Sequence, residues 1–191
     1  MLVLFEGIDT CGKSTQIALL AKKYPELLTT YEPGATAFGQ QAREILLADT
    51  IHSKRAELLL FLADRAEHYE EVIQPNRHRT ILSDRGFLSG IGYALANGDF
   101  AFETLLELNR FALDGHFPEK IILFLTDMET LKQRTSEKSL DGIELRGLTY
   151  LLKVQRHMQE SLEKLEIDHL LIDATEPVET IHQKIVSYLE L

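Results

Sequence analysis

Short apolar runs alternate along the chain with longer segments in which apolar residues recur at helical spacing. Because consecutive parallel strands need a connection long enough for a helix, this order predicts a five-stranded parallel sheet with helices on both faces, in one doubly wound α/β domain. The five runs that have the length of buried strands are residues 2–5, 27–31, 80–83, 120–125 and 169–172.

Helical spacing marks the segments between the predicted strands. The longest of them begins with Ser53 as a capping residue and stops at Pro75. A polar stretch at residues 135–141 interrupts the pattern before a long charged helix. The predicted helices are residues 13–24, 38–47, 53–74, 88–96, 102–113, 130–134, 143–165 and 178–191.

Net charge and cysteine content limit the classes of ligand. Thirty acidic and twenty basic residues give a formal charge of −10, which disfavours binding to nucleic acid or to an anionic membrane. The single cysteine, Cys11, cannot form an intrachain disulfide, and the seven histidines lack the spacing of metal ligands. No apolar run reaches the roughly 18 residues of a membrane span. We therefore expect a cytoplasmic protein.

Residues 7–14 satisfy the phosphate-loop pattern G-x-x-x-x-G-K-[ST] between the first predicted strand and the first helix. Glycines in such a loop let successive N–H groups face a triphosphate, Lys13 reaches the β- and γ-phosphates, and Ser14 offers its hydroxyl to Mg²⁺. Cys11 is expected to be a neutral filler, because nothing in the sequence places a base beside it. The segment expected to bind ATP comprises Gly7, Asp9, Thr10, Cys11, Gly12, Lys13, Ser14 and Thr15.

A phosphate loop alone does not separate a kinase from a GTPase or a motor. The guanine-binding segment Asn-Lys-x-Asp of common GTPases does not occur in the sequence, and motors are usually much longer. A small kinase is therefore favoured. One alternative is a deoxynucleoside kinase or a different nucleoside-monophosphate kinase, and another is a non-catalytic module that binds ATP and signals by conformation.

Five segments resemble the thymidylate kinase family. They are FEGIDTCGKSTQ, EPG at residues 32–34 with Arg43 downstream, LLLFLADRAEHYEEVIQP, SDRGFLSGIGYA, and LIDAT near Asp173. Their order and spacing extend the resemblance over nearly the whole chain. It implies transfer of the γ-phosphoryl group of ATP to dTMP, Mg²⁺ as the cofactor, and a homodimer formed through helices.

The resemblance also implies residues for the acceptor nucleotide. Asp84 and Arg85 follow a strand, so both are expected at the carboxyl edge of the sheet, where open α/β folds bind ligands. The resemblance gives Arg85 the acceptor 5′-phosphate and places Asp84 close to Mg²⁺. Phe61 and Arg65 lie four residues apart on one helix and therefore face the same way. Family likeness gives them the thymine face and a base carbonyl, respectively.

Further acceptor contacts follow from the same resemblance. Asp9 is expected to accept a hydrogen bond from the sugar 3′-hydroxyl, Tyr93 to crowd the 2′ position, and Ser89 to lie near base and sugar. Arg43 is expected to be a second phosphate ligand, although an exposed helix arginine is the alternative. The complete dTMP set is Asp9, Glu32, Arg43, Phe61, Arg65, Arg85, Ser89 and Tyr93.

The charge that stabilises phosphoryl transfer is expected to come from a lid at about residues 135–146. Thr10 and Cys11 are neutral where one branch of the family has a basic residue, so the chain resembles the bacterial-type branch with a basic lid. The candidates are Arg134, Lys138 and Arg146, with Arg134 the first choice. The predicted catalytic set is Lys13, Asp84, Arg85 and Arg134, and the predicted metal ligands are Ser14 and Asp84.

Some positions depart from the family pattern around the acceptor and the lid rather than in the phosphate loop. They bear on base selectivity and lid closure more than on phosphoryl transfer itself. Gly86 and Gly90 are expected to open room near the sugar. The departures are Tyr31, Ala35, Gly86, Gly142 and Met158.

Overall fold

The computed structural model describes residues 1–48, 50–98, 100–135 and 147–191. Its centre is a sheet of five parallel strands, which confirms the predicted fold class. The strand order is β2-β3-β1-β4-β5, so β1 lies in the middle. The strands are β1 Leu2–Glu6, β2 Leu28–Tyr31, β3 Ile81–Asp84, β4 Lys120–Leu125 and β5 Asp168–Asp173.

Helices cover both faces of the sheet, because successive residues of the central strands point to opposite sides. The helices are α1 Lys13–Lys23, α2 Ala37–Leu47, α3 Lys54–His68, α4 Phe87–Asn97, α5 Phe102–Ala112, α6 Met128–Thr135, α7 Leu148–Leu162 and α8 Val178–Leu189. Leu2 and Leu4 join one apolar cluster with α3, α4, α5 and α7, whereas Val3 and Phe5 join the other with α1 and α8. Among the described residues, no helix combines the length and apolar character that crossing a membrane requires.

Two predicted helices extend three or more residues beyond the observed ones. The α-helix predicted for residues 53–74 ends at His68 and continues as a π-helical turn, Tyr69–Ile73, and a 3₁₀ turn, Gln74–Asn76. Pro75 explains the change, because it has no N–H to donate and its ring crowds the carbonyl of the preceding turn. The helix predicted to run to residue 165 ends at Leu162. Its predicted start at residues 143–146 lies outside the described residues.

Helices α4 and α7 approach closely at Gly92. A Cβ atom built on Gly92 would lie 2.6 Å from Met158 Cγ and 3.2 Å from the Val154 carbonyl oxygen. Met158 is fully buried, so it occupies the space that a side chain at position 92 would need. The departure at Met158 is therefore part of the packing between these two helices.

Replacing Gly92 by valine should destabilise the fold by overpacking this contact. We expect a loss of about 1–3 kcal/mol in the free energy of unfolding, measured by denaturant titration. Met158→Ala removes the obstructing side chain, so the double variant should be less destabilised than the sum of the two single changes. Additive effects would show that Met158 does not set the spacing of the helices.

Candidate active site

The phosphate loop connects β1 to α1 and needs glycine at two positions. Gly7 and Gly12 have φ values of 142° and 97°, in the region that other residues rarely adopt. A Cβ on Gly7 would also lie 2.8 Å from the Phe124 carbonyl oxygen, so β4 packs directly against the loop. Cys11 is buried under this turn, consistent with its expected role as a filler.

Lys13 lies inside the loop with its ammonium group close to the loop carbonyls. Its Nζ donates to Gly7 O at 3.1 Å and to Ile8 O at 2.9 Å, and lies 4.0 Å from Asp84 Oδ1. The side chain is only 5% exposed. The loop therefore holds this cation in place beside the amino end of α1, where the helix dipole also favours an anion.

Ser14 and Asp84 form an oxygen pair next to this lysine. Ser14 Oγ donates to Asp84 Oδ2 at 2.5 Å. A hydroxyl and a carboxylate are the oxygen ligands that Mg²⁺ accepts, and Mg²⁺ commonly completes its shell with water and substrate phosphates. The described residues contain no cluster of three or more carboxylate, histidine or cysteine ligands. The two side chains fit that kind of site.

Arg85 follows β3 and turns back over the phosphate loop. Its backbone has a φ of 71°, and its guanidinium donates to Gly7 O at 2.9 Å, to Asp9 Oδ1 at 2.7 Å and to Ser89 Oγ at 3.3 Å. Burial disfavours the charged form, but the charge interactions with Asp9 and Tyr93 outweigh it and raise the pKa of Arg85 above its usual value. Arg85 therefore stays a cation beside the loop.

A largely apolar hollow, the helix cavity, lies between α2, α3 and α4. Phe61 and Tyr93 are half-buried in its wall, and all eight predicted acceptor residues line it. The lining comprises Asp9, Glu32, Pro33, Arg43, Leu46, Leu47, Lys54, Glu57, Leu58, Phe61, Arg65, Arg85, Gly86, Ser89, Gly90, Tyr93, Ala94, Asn97 and Phe100.

A second hollow, the loop cavity, adjoins the helix cavity. The two share four residues: Asp9, Glu32, Arg43 and Arg85. Two of the four are arginines, so cationic side chains stand where the two hollows meet. The loop cavity is lined by Asp9, Thr10, Gly12, Lys13, Ser14, Thr15, Tyr31, Glu32, Arg43, Asp84 and Arg85.

Arg43 reaches the boundary between the cavities from α2. Its Nη1 donates to Pro33 O at 2.9 Å, and the contact is exposed to solvent. The side chain therefore lies against the turn that follows β2 rather than extending freely from its helix.

Arg65 is buried in a polar cluster beneath the helix cavity. Its guanidinium donates to Glu32 Oε2 at 2.9 Å, to Asn109 Oδ1 at 2.6 Å and to Gly86 O at 3.0 Å. The arginine therefore ties α3 to α5 and to the ends of β2 and β3. It also lines the cavity, but its predicted contact with a base carbonyl stays a prediction.

Glu32 is held from a second side by His68. His68 Nδ1 lies 2.9 Å from Glu32 Oε1, and its Nε2 lies 2.7 Å from Thr30 Oγ1. Burial penalises the ionised carboxylate, but Arg65 and His68 more than compensate and keep the pKa of Glu32 below its usual range. Glu32, one of the four residues that line both cavities, is therefore a fixed anion.

Packing gives a further reason for glycine at positions 86 and 90. A Cβ on Gly86 would lie 2.7 Å from Leu4 Cδ1 in the core. A Cβ on Gly90 would lie 3.2 Å from Arg65 Nη1. Both glycines also line the helix cavity, so the expectation that they open room near the sugar stays a prediction.

Arg134 lies on the other side of the phosphate loop. It lies in the last turn of α6, and its guanidinium donates to Thr10 O at 3.1 Å and Ala174 O at 2.7 Å. It is not in the lining of the loop cavity with Lys13 and Arg85, so its predicted catalytic role stays a prediction. Lys138, Arg146 and Gly142 lie outside the described residues. Arg134 borders a third hollow, the edge cavity, lined by Thr10, Cys11, Gly12, Thr15, Gln16, Phe124, Arg134, Ala174, Glu176, Val178 and Ile181.

Sequence reasoning missed several buried polar groups around these cavities. Glu6, His68 and Asn109 are almost fully buried, and each bonds a residue that the sequence had singled out. Glu6 gave one signal, because a charged residue directly follows a continuous apolar strand. Asn109 gave none, since an asparagine within a helix normally faces solvent.

Comparisons with known proteins point to one family. The family model described as thymidylate kinase matches residues 5–185. A protein of Sulfurovum sp. (strain NBC37-1) named thymidylate kinase is 71% identical, and one of Campylobacter curvus (strain 525.92) with the same name is 52% identical; both alignments cover all of this chain and all of the relative. A crystal structure of thymidylate kinase from Ehrlichia chaffeensis shares the fold, with a TM-score of 0.77 at 24% identity over 100% of this chain and 98% of that chain. The chain belongs to the thymidylate kinase family.

Proposed function

We propose that this protein transfers the γ-phosphoryl group of ATP to dTMP, giving dTDP and ADP. The observation that carries the proposal is the boundary between the helix cavity and the loop cavity. Asp9, Glu32, Arg43 and Arg85 line both, so an acceptor phosphate and a donor phosphate can meet there. A nucleoside fits the apolar helix cavity, and a triphosphate fits the loop.

The reaction needs two anions held together while one bond forms and another breaks. An oxygen of the dTMP 5′-phosphate attacks the γ-phosphorus, and the bond from that phosphorus to the β,γ-bridging oxygen breaks, so ADP leaves with the electron pair. Arg85 neutralises the acceptor phosphate, and Lys13 neutralises the donor. Both cations are already oriented by backbone carbonyls and Asp9, so little reorganisation is needed when charge moves in the transition state.

Ser14 and Asp84 would hold Mg²⁺ against the donor phosphates. The bound ion supplies positive charge to the β- and γ-phosphate oxygens. Lys13 lies 4.0 Å from Asp84, so the carboxylate also keeps the ammonium near the same oxygens. This part of the proposal is supported by the donor chemistry of the hydroxyl and carboxylate pair.

The nucleoside of ATP is assigned to the edge cavity. The edge cavity lies on the side of the phosphate loop away from Arg85. When the triphosphate of ATP occupies the loop, this cavity is available for the nucleoside. The guanidinium of Arg134 is held there by two backbone carbonyls, and it presents a planar cation to a purine base or to the α-phosphate. On this assignment Arg134 binds the donor, and any transition-state cation from the lid lies within residues 135–146.

The acceptor base is assigned to the wall formed by Phe61 and Tyr93. An aromatic ring can stack on a pyrimidine, while polar groups at its edge select the base.

We further propose that the protein is a cytoplasmic homodimer. Phe38 and Ile45 on α2 and Leu59 on α3 are exposed apolar side chains on helices that pack together, and they support an interface on that face.

The substrate is tested by measuring ADP release from ATP and Mg²⁺ with each common nucleoside monophosphate and with thymidine. We expect turnover with dTMP, and little with thymidine, because Arg43 and Arg85 need a phosphate. Turnover with thymidine would favour the deoxynucleoside kinase alternative, and hydrolysis without any acceptor would favour an ATP-gated module.

The variant Lys13→Ala should lose at least about a thousandfold in kcat, since the ammonium stabilises the transferring group.

Arg85→Ala and Arg134→Ala form a matched pair on opposite sides of the loop. Arg85→Ala should weaken the dTMP complex by about 2–3 kcal/mol, with a much smaller effect on KM for ATP. Arg134→Ala should raise KM for ATP and leave KM for dTMP almost unchanged. If Arg134→Ala instead lowers kcat by orders of magnitude at saturating ATP, the arginine supplies charge to the transition state, as the sequence suggested.

Phe61→Ala should weaken dTMP binding by about 1–3 kcal/mol through the loss of stacking. Phe61 is only half-buried, so the fold should tolerate the change. Phe111→Ala is the control: it removes the same ring from α5, where Phe111 is 86% exposed and lies outside the helix cavity. Equal KM values for dTMP in both variants would place the base elsewhere.

A further inference from the structure

A buried carboxylate at the end of β1 organises the amino end of α4. Glu6 has no solvent exposure. Its Oε1 accepts the Leu88 N–H at 3.1 Å, and its Oε2 accepts the Ser89 N–H at 3.2 Å. The first N–H groups of a helix have no partner within the helix, so Glu6 satisfies two of them from a distant part of the chain.

The helix has no local residue that could do this. Gly86 is the residue before the helix, and it has no side chain with which to accept a hydrogen bond. The first turn of α4 contains no acidic residue. Leu4 fills the space where a Cβ at position 86 would stand, so β1 excludes a capping side chain at that position. Two residues later the same strand supplies Glu6, which caps the helix instead.

Glu6 also reaches Arg85 through one hydroxyl. Ser89 Oγ donates to Glu6 Oε2, and Arg85 Nη1 donates to the same Ser89 oxygen at 3.3 Å. A hydroxyl has one proton, so a carboxylate that accepts it leaves the lone pairs of the oxygen free for Arg85. Burial raises the pKa of Glu6 above its usual value, whereas the contacts with Ser89 and Arg85 act in the opposite direction. The three donors around Glu6 suit the ionised carboxylate, because a protonated carboxyl would turn one of its acceptors into a donor.

We propose that Glu6 is a positioning residue for recognition of the acceptor phosphate, acting through Ser89 and Arg85. The inference rests on the proposed function, which gives Arg85 the phosphate of dTMP. Glu6 fixes the direction of the Ser89 hydroxyl, and that hydroxyl shares Nη1 of Arg85 with the Gly7 carbonyl. The other arm of the guanidinium is held by Asp9. Loss of the Glu6 acceptor therefore leaves the cation in place but removes one of the contacts that orient it.

The decisive variant is Glu6→Gln, which keeps the size of the side chain and turns one acceptor oxygen into a donor. Dissociation constants for dTMP and for thymidine are measured by calorimetry, together with KM for ATP. We expect dTMP to bind at least about tenfold more weakly, while thymidine and ATP change by less than about twofold, because only dTMP uses Arg85. The penalty should therefore depend on the phosphate.

Glu119→Gln is the matched control. Glu119 Oε2 accepts the Leu2 N–H at 2.5 Å, so this carboxylate meets the backbone at the opposite end of the same strand, away from the cavities. The control should bind dTMP and thymidine as the parent does. A general loss of stability, with both ligands weakened equally in Glu6→Gln, would overturn the proposal and leave Glu6 as a structural cap.

Ser89→Ala decides the question if Glu6→Gln does not fold. It keeps both backbone contacts of Glu6 and removes only the hydroxyl link. We expect weaker binding of dTMP relative to thymidine by about fivefold. Parental discrimination between the two ligands in this variant would overturn the inference. A parent protein that fails to prefer dTMP over thymidine would instead refute the proposed function.

Discussion

The pairing of β1 with β3 is the constraint on which the whole site depends. In this register Phe5 is opposite Asp84, and the Phe5 carbonyl accepts the Arg85 N–H at 2.9 Å. Two parallel strands in register end at the same level, so the phosphate loop starts beside Asp84 and Arg85. A slip of one residue would send both side chains to the opposite faces of the sheet. The contacts of Lys13 and Ser14 with Asp84 exist because of this alignment.

A second constraint is the number of ionisable side chains buried beneath the cavities. Glu32, Arg65 and His68 lie under the helix cavity with almost no exposure, and Glu6 lies between the sheet and α4. Breaking a buried ion pair leaves an uncompensated charge and typically costs about 3–5 kcal/mol, so these groups stay in place together. The cluster gives the cavity a rigid floor, which suits a site that must hold two phosphates in a fixed relation.

Much of this architecture could be predicted from the sequence. The apolar runs predicted the parallel sheet, and the glycine spacing at residues 7–14 predicted the phosphate loop, because both features depend on the sequence over a short stretch of chain. The family resemblance predicted acceptor roles for Phe61, Arg85 and Tyr93, and these three residues line one cavity. The buried partners Glu6 and Asn109 could not be predicted, since their roles depend on contacts between residues far apart in the chain. Pro75 indicated where the helix stops, but not that the chain forms a π turn after His68, in which Tyr69 and Ile73 are buried.

The position of Arg85 in the left-handed region has a consequence for which residues this position can accept. Glycine is the residue that adopts this conformation without strain, whereas another residue costs about 1–2 kcal/mol. The contacts of the guanidinium with Asp9, Gly7 and Ser89 offset that cost. A glycine at position 85 would remove the strain and these contacts together, and with them the cation that lines both hollows. The unusual backbone conformation is therefore maintained by the same side chain that the site needs.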